Sequence, residues 1–143
     1  MYKNQIFKDD RKDNPIEWEE IELDTDETVL TFLKEELKRR SVIMYCESGF
    51  IDYVGTHLEY TLVDLDISVV QLRRLDQKEG ASYRLILSDD DSLLSRGLDF
   101  RAHENGLTFI QAKSARDHHT LLQMAYRVGR QGEPARRLRI KGV

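Results

Sequence analysis

Three short strand candidates limit what this chain can fold into: the continuous apolar run Ser41–Cys46 (SVIMYC), and the largely apolar Tyr83–Ser88 (YRLILS) and Gly106–Gln111 (GLTFIQ). A strand with one face in water alternates apolar and polar residues, whereas a strand buried on both faces reads as a continuous apolar run. The stretches around them have helical spacing instead. Val29, Leu30, Phe32, Leu33 and Leu37 recur at helical intervals and lead into Lys38-Arg39-Arg40, cations placed at the negative end of a helix dipole. Phe50–Tyr60, Ile67–Lys78 (with Gly80 as its stop) and Asp117–Arg130 (stopped by Gly132-Glu133-Pro134) show the same pattern. Leu62–Leu65 reads as a further short strand, Leu93 and Leu94 as part of a short helix, and Arg136–Lys141 as a final strand with Leu138 and Ile140 on one face. Strands alternating with helices imply right-handed crossovers, so the expected fold is α/β: one parallel sheet covered by helices on both faces. Ligands of such a sheet meet the carboxyl ends of its strands, here Glu47-Ser48, Ser88-Asp89 and the loop after Gln111.

The amino-terminal part is less regular. Residues 1–15 are polar, charged and aperiodic and read as a flexible leader or linker, with the domain occupying 16–143. Ile16–Leu23 reads as a short edge strand, and Asp24-Thr25-Asp26-Glu27 as a capping box with Asp24 as N-cap. A chain of 143 residues, 40% hydrophobic, has room for a single core. Its net charge of −4 argues against a dedicated nucleic-acid-binding domain. The charge is unevenly spread: acids crowd the first third, while Lys113, Arg116, Arg127, Arg130, Arg136, Arg137, Arg139 and Lys141 make the end basic, so an anionic ligand is expected there. The one cysteine, Cys46, excludes an intrachain disulfide and makes a reducing, intracellular and most simply cytoplasmic setting the expectation. No apolar run approaches the ~18 residues of a membrane span, and the chain is expected to be soluble.

The candidate chemistry lies in the last helix. Gln123, Arg127 and Arg130 stand at i, i+4 and i+7 and would share one face, with Leu121, Ala125 and Val128 on the other. An amide and two guanidiniums in a row suit a polyphosphate, because arginine keeps its charge and its planar fork matches phosphate oxygens. Other candidates point to structure. Cys46 has Asp52 where a Cys-x5-Arg phosphatase requires arginine, which leaves a core thiol. His118 and His119 would point about 100° apart on a helix and read as helix surface. Asp89-Asp90-Asp91 reads as an acidic turn or cap, with a Mg²⁺ site as the alternative. No metal site is expected from this chain alone.

QMAYRVGRQG (123–132) resembles motif VI of superfamily 2 helicases and translocases, a glutamine and two arginines in the order Q-x-x-x-R-x-G-R, and SRGLDF (95–100) resembles their motif V. SVIMYCES resembles the strand opening their second RecA-like lobe, and the element order across 16–141 is similar to that whole lobe. The tail RVGRQGEP, and its spacing from Gly106-Leu107, is most similar to SecA-type preprotein translocase ATPases. The resemblance implies a RecA-like domain in which Arg127 and Arg130 are arginine fingers for the γ-phosphate of ATP held on another lobe. It implies that Gln123 is a leading polar contact and that Arg96, Gly97 and Asp99 line the nucleotide. It further implies ATP and Mg²⁺ shared with a P-loop lobe, in the same parent polypeptide or in trans, and hydrolysis coupled to movement of nucleic acid or unfolded polypeptide. The chain has no G-x-x-x-x-G-K-[ST] phosphate cradle and is not expected to hydrolyse ATP alone. Asp26-Glu27-Thr28-Val29 lacks the last acid of a DExD box and reads as a helix start. The alternative is a catalytically inert helicase-fold module with an interaction or regulatory role; Asp91, where the family usually has threonine, favours it.

Overall fold

The computed structural model describes residues 4–8, 17–63, 83–90, 94, 106–126 and 135–141. The expected helix at 67–78 with its Gly80 stop, Asp91, the SRGLDF segment and the stop at 132–134 lie outside them. The strands are β1 (Asn4–Lys8), β2 (Glu17–Ile21), β3 (Ser41–Tyr45), β4 (Thr61–Leu62), β5 (Leu85–Ser88), β6 (Leu107–Gln111) and β7 (Ala135–Ile140). The helices among the described residues are α1 (Asp26–Glu36), α2 (Ser48–Gly55) and α3 (His118–Ala125).

One sheet contains all seven strands in the order β1-β2-β7-β6-β3-β5-β4. Six are mutually parallel and β1 is antiparallel to β2. The three apolar runs form its centre: β3, β5 and β6 are buried at every position. Their side chains alternate between two cores. Ile43, Tyr45, Ile86, Leu107 and Phe109 meet Leu121, Leu122, Met124 and Ala125 of α3. Val42, Met44, Leu85, Leu87 and Ile110 meet Val29, Phe32 and Leu33 of α1 and Ile51 and Val54 of α2 on the other face. Trp18 of β2 lies on the α3 side, wholly buried, edge-on to Phe109 at 6.2 Å between ring centroids.

Two amino-terminal expectations change. Residues 4–8, read as part of a leader, pair with β2 as an outer strand, so β2 is flanked on both sides and is not an edge. The cap of α1 shifts by one residue, from Asp24 to Thr25. Thr25 Oγ1 accepts from the Thr28 amide (3.2 Å), and the Thr25 amide donates to Thr28 Oγ1 (3.1 Å). This reciprocal pair leaves Asp26 and Glu27 in the first turn, where the helix dipole favours acids. The second helix starts earlier than expected, at Ser48, and stops earlier, at Gly55. The Tyr60 ring folds back over Gly55 so closely that a Cβ there would lie 2.8 Å from it.

A charged cluster closes the end of the sheet where β6 and β7 begin. Glu36, 2% exposed at the end of α1, accepts from Arg40 Nη1 (2.5 Å), Thr108 Oγ1 (2.8 Å) and Arg136 Nη1 (2.7 Å). Arg136 also holds Glu19 of β2 through Nε (2.6 Å) and Nη2 (3.2 Å), with its guanidinium over the Phe32 ring. Burying these charges is tolerable because each oxygen of Glu36 is met by a donor.

Candidate functional site

The carboxyl ends of β3, β5 and β6 converge as the sequence implies. The ladder continues past the strands: the Cys46 amide donates to Ser88 O (3.0 Å) and the Ala112 amide to Tyr45 O (2.8 Å). Ser88 is fully buried; its hydroxyl donates to Val63 O (2.7 Å) and accepts from the Asp90 amide (3.1 Å), which fixes the start of the acidic turn. Across this rim lies Lys113, whose Nζ donates to Asp89 O (3.0 Å), approaches Glu47 Oε2 (3.8 Å) and sits 5.5 Å from the centroid of the Tyr45 ring. The Tyr45 hydroxyl donates to Ser114 O (3.3 Å). Lys113 therefore straps three loops together. Burial, aided by the charges of Asp89 and Glu47, pushes the Cys46 thiol up to about 12, so this cysteine is a neutral core group and no nucleophile.

The rim continues towards β7. Gln111, 4% exposed, donates from Nε2 to Lys113 O (3.2 Å) and accepts at Oε1 from Arg139 Nε (3.0 Å). The Arg139 guanidinium lies 5.5 Å from the centroid of the Trp18 ring. A planar cation beside a buried amide and an indole holds β2, β6 and β7 in register at this end.

Helix α3 leaves the rim through Asp117, whose carboxylate accepts the Thr120 amide at 2.7 Å. That hydrogen bond, from backbone and side chain of Thr120, holds the Asp117 carboxyl below the usual carboxylate range. Leu121, Leu122, Met124 and Ala125 face the core, while His118, His119 and Gln123 are exposed. Of the residues singled out from the sequence, Gln123 thus stands on the solvent side as expected. Arg127, Arg130, Arg96, Gly97 and Asp99 lie outside the described residues. The helix expected to run to Arg130 ends at Ala125, with Tyr126 as its C-cap. The last helical carbonyl, Ala125 O, accepts from Arg137 Nε of β7 at 2.9 Å. Gln111 had no assigned role in the sequence, and Lys113, Arg137 and Arg139 were assigned only to the basic end expected to attract an anion. The available signal was three arginines in one short strand, Arg136, Arg137 and Arg139, where an interior strand ordinarily carries apolar residues.

Among the described residues no group of three or more His, Cys, Asp or Glu side chains is placed to hold a metal ion, and no helix is long and apolar enough to cross a membrane. With this architecture in hand, a crystal structure of the C-terminal part of the Fun30 ATPase domain proves similar, with a TM-score of 0.56 at 14% sequence identity over 80% of this chain. The chain is a single RecA-like α/β domain. It spans 38% of the length of that structure, so the likeness is one of fold and covers part of a larger ATPase region. No protein-family model and no curated protein matches the sequence.

Proposed function

We propose that this domain is the second lobe of a superfamily 2 motor and acts on ATP bound to a separate P-loop lobe. The observation that carries the reading is the Q-x-x-x-R-x-G-R order of Gln123, Arg127 and Arg130 in the sequence, whose first residue, Gln123, faces solvent on a helix packed on a RecA-like sheet. In this reading Arg127 and Arg130 place two permanent positive charges against the charge that develops on the transferred phosphoryl group. Such a contact acts in the transition state and is worth roughly 10³ to 10⁵ in rate. Gln123 adds a neutral polar contact, and Arg96, Gly97 and Asp99 of the motif V-like SRGLDF line the nucleotide.

The residues fit a half-site. The chain has no phosphate-cradling loop, while an exposed amide on α3 can meet a nucleotide held elsewhere. Bound ATP and Mg²⁺ would supply the phosphoryl group and the metal's charge; this lobe would supply the opposing cations and close the site against water. The substrate moved is nucleic acid or unfolded polypeptide.

The test is ATPase activity of the native polypeptide that contains this domain, purified with whatever P-loop partner accompanies it. Arg127→Ala should reduce turnover by at least about 10³-fold while leaving the melting temperature nearly unchanged. Equal turnover in wild type and variant would remove the reading. A catalytically inert interaction module is the second reading, favoured by Asp91 in the position usually held by threonine. It requires partner binding indifferent to nucleotide, and an affinity that changes on adding ATP would exclude it.

A further inference from the structure

We propose that the loop from β6 to α3 is a strap, held shut by Lys113, over a row of polar side chains at the carboxyl end of the sheet. It stands independently of the function proposed above. The last rung of the sheet is polar on four neighbouring strands: Ser88, Tyr45, Gln111 and Arg139 stand in register on β5, β3, β6 and β7. One residue earlier the rung reads Leu87, Met44, Ile110 and Leu138, all buried. Exposure to water does not account for the change, since Ser88, Tyr45 and Gln111 are themselves 0%, 3% and 4% exposed. The polar rung also lies where the topology divides. The connection after β3 passes through α2 on the face of Val42 and Met44, and that after β6 through α3 on the face of Tyr45 and Phe109. Two strand ends whose connections leave in opposite directions are where open α/β sheets receive their ligands.

The strap covers this rung with its own polar groups. The Gln111 amide nitrogen donates to Lys113 O (3.2 Å) and the Tyr45 hydroxyl to Ser114 O (3.3 Å), so two consecutive strap carbonyls take up two side-chain donors of the rung. Arg139 Nε donates to Gln111 Oε1 (3.0 Å), which leaves the nitrogen of that amide to the strap. The Lys113 side chain then crosses the end of β3: its Nζ lies 5.5 Å from the Tyr45 ring centroid, donates to Asp89 O beyond it (3.0 Å) and approaches Glu47 Oε2 at 3.8 Å. None of these holds is strong. The two carbonyl contacts are long for hydrogen bonds, and Glu47 is 67% exposed, so salt screens its attraction for Lys113. The strap therefore opens at lower cost than the buried strands beneath it. A ligand that enters when it lifts has to replace the two carbonyls with oxygen acceptors of its own, because a buried donor left without an acceptor is costly.

Amide hydrogen exchange on this chain tests the strap at the Ala112 amide, which donates to Tyr45 O, and the Asp90 amide, which donates to Ser88 Oγ. Lys113→Met should accelerate exchange at both by roughly 10-fold or more, the scale of losing a hydrogen bond from a charged donor, while Val42–Met44 of β3 are unaffected. Lys141→Met, which removes the lysine paired with Glu22 after β7, should leave both amides unchanged. In wild type, raising NaCl to about 0.5 M should accelerate the same amides by about 2-fold to 5-fold relative to Val42–Met44, and this salt effect should vanish in Lys113→Met. Tyr45→Phe keeps the ring and removes the hydroxyl's hold on Ser114 O; it should accelerate Ala112 and leave Asp90 unchanged, and it carries the test if Lys113→Met fails to fold. Equal acceleration in Val42–Met44, no acceleration at Ala112 and Asp90, or a wild type insensitive to salt overturns the proposal.

Discussion

Replacing Glu36 with alanine should be among the most damaging single changes outside the apolar core. The carboxylate is 2% exposed and takes three donors, Arg40, Thr108 and Arg136. Breaking a buried ion pair from one side costs about 3–5 kcal/mol, chiefly because the partner's charge stays behind uncompensated. Two features pull the value towards the lower end. Arg136 keeps its contacts with Glu19 at 2.6 and 3.2 Å, and Arg40 and Arg136 are 24% and 22% exposed, so water can reach both. One feature raises it: the Thr108 hydroxyl, in a residue with no exposed surface, loses its acceptor, a loss of about 1 kcal/mol. The expected destabilisation is therefore about 3–4 kcal/mol, a large part of the roughly 5–15 kcal/mol that holds a domain of this kind together. It would lower the melting temperature by about 10 °C, at roughly 3 °C per kcal/mol for this chain length. Urea unfolding followed by circular dichroism measures it directly. Glu36→Gln, which keeps an acceptor of similar shape, should lose about half as much, and a double-mutant cycle with Arg136→Met should give a coupling of at least about 1 kcal/mol. A Glu36→Ala protein within about 1 kcal/mol of wild type would refute the reasoning.

Cys46 should resist iodoacetamide at pH 8 in the folded protein and react on unfolding. Its thiol is raised from near 9 to about 12, so its contribution is complete below pH 9 and is lost as pH rises towards 12; relative to Cys46→Ala, wild-type stability should fall by up to about 1.4 kcal/mol per pH unit in that window. Asp117 shifts the other way: its lowered carboxyl contributes above the ordinary carboxylate range and loses that contribution as pH falls through the lowered value. Acidification should therefore fray the first turn of α3 in wild type and not in Asp117→Asn, as read by exchange at the Thr120 amide. The single tryptophan, Trp18, has no exposed surface, so its emission should be blue-shifted and shielded from acrylamide. Trp18→Ala should cost about 3–5 kcal/mol by opening a cavity beside Phe109, and solvent-like emission in the native protein would contradict the burial.

The centre of the fold was legible because two-sided burial leaves its own signature: SVIM, LIL and LTFI read as apolar runs whatever surrounds them. Asn4–Lys8 was not legible, since its order comes from pairing with β2 and not from its own pattern. The cap of α1 was misplaced by one residue because Asp24 and Thr25 both suit an N-cap, and only the reciprocal Thr25–Thr28 pair separates them. The ends of α2 and α3 were overextended for a common reason. Helical periodicity records which residues face the core and not where the backbone leaves the helix, the places where Tyr60 lies over Gly55 and Arg137 donates to Ala125 O. Partnerships such as Glu36 with Arg136, 100 residues apart, leave no local trace. In the candidate site the exposure of Gln123 followed from the helical pattern, and the rim contacts of Lys113 and Arg139 did not.

The three arginines of β7 explain why a charged strand sits between β2 and β6. Alternation sends Arg136 to the α1 face and Arg137 and Arg139 to the α3 face. Each meets a different partner: Arg136 the Glu36–Glu19 pair, Arg137 the end of α3, and Arg139 the Gln111 amide. An interior strand built this way loses apolar burial and gains connections that apolar side chains cannot make, because each guanidinium reaches a polar group on a different element. At the end of α3 the Tyr126 amide donates to Leu122 O, and at the start of β7 Ala135 pairs in register with Leu107. Substitutions in β7 should therefore act through whichever of these partners they release. Those at Arg136 should act through global stability alone, and those at Arg137 through the local end of α3, a difference that exchange and turnover together can separate.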